Sequence, residues 1–331
     1  MQLIQHFNTF LKETVNLPDW RLTELSGRVD SIYNALKKDA EYGGLITGKI
    51  PQGSWAHRTI IKPKPDHEYD ADVLLCVDEN PDWVDDKAQY IEQLYWGLGR
   101  SGYLNRHRMT RCVRVEYAND CHVDLVPYVA SRDGNHIVNR IEGTWEDTSP
   151  EGFTTWMAER DEMTNRNFRK AVRLLKYIRD HRGYFTGTRS IILTTLLGNR
   201  VSYWTKIASP STYSSVPNTL VTLTEELDGW LQARASMPDV EDPSSPGTFF
   251  THRWSEQSYQ HFRNRIATLA PDMRAALDEP NADKSADKWR LVFGDDFIKE
   301  TTETKSASPF PAHAAGGVAV LSSVSHVGRA G

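Results

Sequence analysis

Three cysteines in 331 residues, Cys76, Cys112 and Cys121, are too few and too irregularly spaced for a disulfide framework or a CxxC motif. Cys112 and Cys121 could face each other across a hairpin, but two small buried side chains is the simpler reading. Long apolar runs are also missing: no stretch approaches the ~20 residues that a membrane helix needs. The opening MQLIQHFNTFLKE scatters polar residues among apolar ones, unlike a secretory leader. These absences leave the cytosol as the expected location and no membrane partner. An excess of positive charge is lacking too, the formal net charge being −5. Proteins that coat nucleic acid rely on a large positive field to release counterions, so no long nucleic-acid partner is expected, whereas a nucleotide needs only a local basic pocket. No internal repeat is evident.

The chain is long enough, at 39% hydrophobic residues, to bury a sizeable core in two packed lobes. Apolar residues from Leu3 to Leu36 recur at helical spacing and are interrupted at Pro18, which predicts two helices. Leu45 to Ile50 reads as a short strand, followed by the turn residues Pro51-Gln-Gly-Ser54 and a short helix from Ser54. Tyr69 to Val77 reads as a buried strand, and residues 85–98 as a helix. Arg111 to Tyr117 and Cys121 to Val129 form an expected β-hairpin. From Glu151 the pattern becomes helical, most clearly over Asn167 to His181. The expected organisation is an α+β catalytic lobe with N-terminal helices at 1–150, a helical nucleotide-binding lobe at 151–300, and a flexible, small-residue tail at 301–331. Trp289, Leu291, Val292, Phe293 and Phe297 are expected to dock the end of the folded body.

Side chains alternate along a strand, so Asp70 and Asp72 leave the same face while Ala71 and Val73 leave the other. Asp124, in His-Val-Asp-Leu-Val-Pro, is a lone acid in another buried strand. If these strands are neighbours, three carboxylates converge, and like charges held that close call for a cation. Oxygen ligands without cysteine favour Mg²⁺ or Mn²⁺, and two such ions would suit phosphoryl chemistry. Asp-x-Asp alone is a weak signal. Upstream of it, however, the Gly53-Ser54 turn lies between a strand and a helix, where backbone N–H groups and the Ser54 hydroxyl can cradle phosphate oxygens.

Other motifs carry less. Gly97-Leu-Gly-Arg-Ser-Gly102 matches GxGxxG by letter, but it follows a helix and reads as a helix stop. His57, His67 and His122 read as structural. Arg106, Arg108, Arg111 and Arg114 alternate as a solvated strand face would, and are assigned no role.

Gly-Ser, then Asp-x-Asp, then a later Asp resembles the pattern of the polymerase-β-like nucleotidyltransferases. Within them the chain is most similar to the bacterial cGAS/DncV-like enzymes, over Gln52-Gly-Ser54 to Trp289-Arg-Leu-Val-Phe-Gly294. The helix Arg169-Lys-Ala-Val-Arg-Leu-Leu-Lys176-Tyr resembles that family's basic spine helix, and Thr188-Arg-Ser190-Ile-Ile-Leu the start of its next helix. The resemblance implies a mixed-sheet nucleotidyltransferase core packed against a C-terminal helical lobe. It also implies Asp70, Asp72 and Asp124 as catalytic metal ligands for two Mg²⁺ or Mn²⁺ ions. Gln52, Gly53, Ser54, Lys176 and Ser190 would bind the nucleotide. On local grounds alone, Lys176 reads as a charge on the wet face of an amphipathic helix, and Ser190 as an N-terminal cap. Two positions depart from the pattern: Arg58 precedes Thr59 where many relatives have a small residue, and Ile191 follows Ser190 where some have an aromatic that stacks on a base.

The implied activity is joining nucleoside triphosphates, ATP first among them and GTP or others also eligible, into a cyclic di- or trinucleotide for anti-phage defence. A terminus ending in Gly331 resembles those that an associated E1/E2-like protein conjugates in many such enzymes. The alternatives are another nucleotidyltransferase of the same superfamily, modifying a small molecule, protein or RNA end, and an inactive nucleotide-binding scaffold.

Overall fold

The computed structural model describes residues 2–65, 67–118, 120–131 and 134–298. The expected tail and Gly331 lie outside them. Elements run α1 (Ile4–Phe10), a π-helical turn (Leu11–Val15), α2 (Asp19–Leu36), β1 (Ile46–Gln52), α3 (Gly53–Ala56), β2 (Tyr69–Val77), α4 (Gln89–Arg100), β3 (Arg106–Arg108), β4 (Val113–Tyr117), β5 (Cys121–Ser131), β6 (Gly134–Asn139) and β7 (Thr144–Asp147). The helices α5 (Pro150–Met163), α6 (Phe168–His181), α7 (Ser190–Gly198), α8 (Tyr203–Ala208), α9 (Val216–Gln232), α10 (Glu256–Asp278) and α11 (Ala282–Phe293) follow. Strands β3, β6 and β7 are short additions that the hydrophobic pattern did not reveal.

The sheet is mixed, as expected, in the order β1-β2-β5-β4-β3, with β6 pairing β5 and β7 pairing β6. Strands β2 and β5 run parallel while β4 and β5 form the expected antiparallel hairpin. In that hairpin Cys121 lies opposite Tyr117, and Cys112 falls outside it; all three cysteines are free.

Two hydrophobic cores form within residues 1–298. One lies beneath the sheet and takes in Leu25, Val29, Ile32 and Leu36 of α2, the inward face of β2 (Tyr69, Ala71, Val73, Leu75), and Val123 and Leu125 of β5. The other is helical, built on α6, α7, α9 and α10. The N-terminal pair divides between them. α1 joins the helical core, where Phe7 meets the Trp289 ring edge-on at 4.9 Å and Phe10 meets Tyr177 at 5.0 Å. The break before Pro18 lets the chain turn from one core to the other, since proline cannot continue the hydrogen-bonded helix. Of the expected docking cluster, Trp289, Val292, Phe293 and Phe297 are buried, but Leu291 is 75% exposed. Among the described residues no helix is long and apolar enough to cross a membrane.

Candidate active site

The strand register brings the three acids together. In β2, Tyr69, Ala71 and Val73 point into the core, so Asp70 and Asp72 leave the opposite face. The parallel pairing sets Asp72 directly against Asp124, and Asp70 against His122. On the other side of β2, the antiparallel pairing sets Gln52 against Asp72. The Gln52 Nε2 is buried without a hydrogen-bond partner among the described residues, so this amide keeps a donor to offer.

Gly53 follows at once with φ +59°, and a Cβ placed on it would collide with the Asp72 carboxylate. Glycine is thus required twice at this turn, by conformation and by the close approach of the acid. Arg58, the first departure from the family pattern, also adopts a left-handed conformation, with φ +55°. A backbone of this kind favours glycine, which has no Cβ to clash.

Negative charge accumulates on this ledge. Burial, and then the neighbouring Asp70 and Asp124, push the Asp72 carboxyl up to about 7, while Arg114 and Arg253 act in the opposite direction. An all-oxygen donor set carrying excess negative charge fits a hard divalent cation. Yet among the described residues no three acids, histidines or cysteines are gathered into a ready-made metal cage. Asp124 is instead held by Arg114 of β4, whose Nε and terminal nitrogen donate to its two oxygens at 2.8 Å each.

The arginines set aside as a solvated face are therefore engaged side chains. Arg106 and Arg108 lie over the Tyr95 ring at 4.1 and 3.5 Å, and Arg111 makes a two-pronged pair with Glu146. Sequence alternation misled because the partners come from other elements: Tyr95 of α4 under Arg106 and Arg108, Glu146 of β7 for Arg111, and Asp124 of β5 for Arg114.

A cleft of about 320 Å³ joins one end of the ledge to the helical wall; Ser54 and Asp70 line it together with Lys176 and Ser190. Lys62, Lys64, Arg179 and His181, which the motifs did not single out, line it too. The sequence reading missed Arg179, although its place one turn beyond Lys176 on the same helix is a signal that could have found it.

Lys176 is buried, 6% exposed, where an amphipathic reading put it in solvent. Its Nζ donates to the Thr59 carbonyl at 2.8 Å, and burial, with help from Arg179, lowers its pKa to about 8. Ser190 is the first residue of α7 rather than its cap, which is Arg189; the Ser190 Oγ accepts from Arg179 at 2.9 Å. His57 is buried against Phe153, and burial together with Arg169 and Lys176 lowers it to about 4, so it is neutral at physiological pH.

Residues 1–161 match the family model of the Second Messenger Oligonucleotide or Dinucleotide Synthetase domain. A cyclic AMP-AMP-AMP synthase from Acinetobacter sp. is 22% identical to the chain over 293 residues, covering 87% of this chain and 83% of that protein. A c-di-GMP synthase from Roseivirga ehrenbergii is 25% identical over 325 residues, covering 87% and 84%. The fold is similar to that of Vibrio cholerae DncV, a cyclic AMP-GMP synthase solved with the linear intermediate 5′ pppA(3′,5′)pG. That match has a TM-score of 0.69 and 15% identity, and covers 90% of this chain and 97% of that one. With the acid ledge, the glycine turn and the basic wall already in place on this fold, residues 1–161 match a cyclic-nucleotide synthetase domain, and the chain as a whole is similar to cGAS/DncV-like nucleotidyltransferases.

Proposed function

We propose that the protein joins nucleoside triphosphates into a cyclic di- or trinucleotide second messenger for anti-phage defence, releasing pyrophosphate at each step. The observation that carries this reading is the single cleft in which Asp70 shares a wall with Ser54, Lys176 and Ser190, beside the Asp72–Asp124 register pair. The relatives' names support it, and they specify products built on different bases. ATP is the first substrate to test.

Ser54, Lys176 and Ser190 take the donor triphosphate. An ammonium and two hydroxyls suit phosphate oxygens, and Arg179 adds a guanidinium beside Ser190. The Gly53 turn and the orphan Gln52 amide add donors next to Asp72. Asp70, Asp72 and Asp124 would hold two Mg²⁺ or Mn²⁺ ions, which would supply charge neutralisation at the α-phosphate and a lowered pKa for the attacking hydroxyl. Asp124 receives the proton of the attacking ribose hydroxyl, and the last transfer, the second for a dinucleotide or the third for a trinucleotide, closes the ring within the linear product with loss of its pyrophosphate. Gly331 is the expected point of conjugation by an E1/E2-like partner; deleting it should abolish attachment and leave product formation by the purified protein unchanged.

The test is incubation of the purified protein with all four NTPs and Mg²⁺ or Mn²⁺, followed by mass spectrometry and nuclease digestion of the products. A phosphatase-resistant cyclic product is expected. The reading fails if the wild type yields no more of it than an Asp70→Ala, Asp72→Ala double variant. Label appearing on another acceptor would instead identify a transferase of the same superfamily.

A further inference from the structure

Asp124 is the most enclosed of the three acids, at 9% exposure, and both of its oxygens are already engaged. Arg114 and Asp124 are register partners in the β4–β5 hairpin, so the backbone itself sets them side by side. The guanidinium fork meets the carboxylate with two 2.8 Å hydrogen bonds, the geometry in which charge-assisted pairs are strongest. Asp72 lies across the parallel pairing from this same carboxylate. A dication shared by Asp72 and Asp124 would stand beside a fixed positive charge and compete for oxygens that the fork already occupies.

We propose that Arg114 is a latch on Asp124: it neutralises this carboxylate before substrate arrives, opposes loading of free metal there, and is released when a nucleotide's phosphates offer it another anion. This inference rests on the metal-dependent reading above and adds an order to it, in which cation and nucleotide load together. By linkage, a nucleotide that displaces the guanidinium must raise the affinity for the cation by the same factor as the cation raises that for the nucleotide. The coupling belongs to this chain's side chains and is measurable without turnover. Arg114 is thus a positioning residue acting through Asp124. A purely orienting role would have the opposite sign, because a guanidinium that only fixed Asp124 in place would strengthen cation binding.

The experiment is Mn²⁺ binding, read by the electron paramagnetic resonance of free Mn²⁺, to the full chain with and without a non-hydrolysable ATP analogue. Wild type, Arg114→Met and Arg114→Lys are compared. Removing the fork should tighten nucleotide-free Mn²⁺ binding about tenfold and shrink the enhancement by the analogue by a similar factor, with Arg114→Lys between the two. Thermal unfolding in chelator provides a second readout. Arg114→Met should melt below wild type, because Asp124 is left buried and unpaired, and should gain more from added Mn²⁺ than wild type does. Unchanged or weaker Mn²⁺ binding in both variants overturns the latch, as does an analogue enhancement equal to that of wild type. Absence of a cyclic product would sink the proposed function while leaving this measurement intact. Absence of Mn²⁺ binding in all three proteins, with analogue present, would sink the metal reading and the latch together.

Discussion

The sheet ledge and the helical wall face one cleft with opposite faults. On β2 and β5 three carboxylates crowd together, and the Asp72 carboxyl rises to about 7; on α6 the Lys176 ammonium is buried and falls to about 8. Each side is pushed towards neutrality by its own surroundings, and the two are compensated differently. Asp124 has a full ionic partner in Arg114, whereas the hydrogen bond of Lys176 goes to the uncharged Thr59 carbonyl. Asp70 carries the ledge into the cleft that Lys176 lines, so a cation-bound polyphosphate would relieve both sides, with the cation on the ledge and the phosphate on the wall.

The largest expected effect is on the ledge. Asp70→Ala with Asp72→Ala should lower cyclic product formation on the order of 10³-fold or more, while leaving NTP binding measurable. Equal losses of binding and turnover would show that the two sides do not divide the work. On the wall, Lys176→Met should raise KM for the donor NTP about 10- to 100-fold with a smaller change in kcat, the size expected for one charge-assisted contact. A fall in kcat alone would move Lys176 into the chemistry and blur the contrast.

Gly53→Ala tests the hinge between strand and ledge. The left-handed backbone costs alanine ~1–2 kcal/mol, and the methyl must displace the Asp72 carboxylate, so about tenfold lower activity and a lower Tm should appear together. Wild-type activity in this variant would show that Asp72 can move without consequence.

A pH titration sharpens the electrostatic side. Between about pH 4 and pH 7 the unfolded chain gives up the Asp72 proton and the folded chain keeps it, so the native state binds more protons across that window. In chelator the protein should lose stability as pH rises through it, and added Mg²⁺ should stabilise more at the upper end. A flat difference between the two Tm curves would remove the charge excess from the account. The smallest effect is at Arg58, where Arg58→Gly should raise the unfolding free energy by up to ~1 kcal/mol, read as a small rise in Tm, since glycine adopts φ +55° without side-chain strain.

Strand β2 was legible to the residue because alternation and a buried aliphatic run coincide there, and the α6 helix because its stripe is strongly periodic. Strands β6 and β7 were not, being short pieces whose pattern is indistinguishable from a loop. Among the site residues, Asp70, Asp72 and Asp124 announced themselves as acids in apolar strands. Lys62 and Lys64 in a proline loop carried no such mark, and Arg114 carried a misleading one. An arginine on an alternating strand reads as exposed until the neighbouring strand is known.

The sequence by itself determined which face of β2 carries its two acids, that Gly53-Ser54 forms a turn between a strand and a helix, and that residues 167–181 form a basic helix. Each follows from a local repeat of two or 3.6 residues, or from the conformational freedom of one residue. Only the tertiary structure decided that Asp124 stands opposite Asp72, that Arg114 takes both of its oxygens, and that Lys176 is buried over Thr59. Those contacts span sequence separations of 10 residues for the arginine pair and 117 for Lys176 and Thr59. Strand register and the packing of helices on the sheet are set by the whole core rather than by any local pattern.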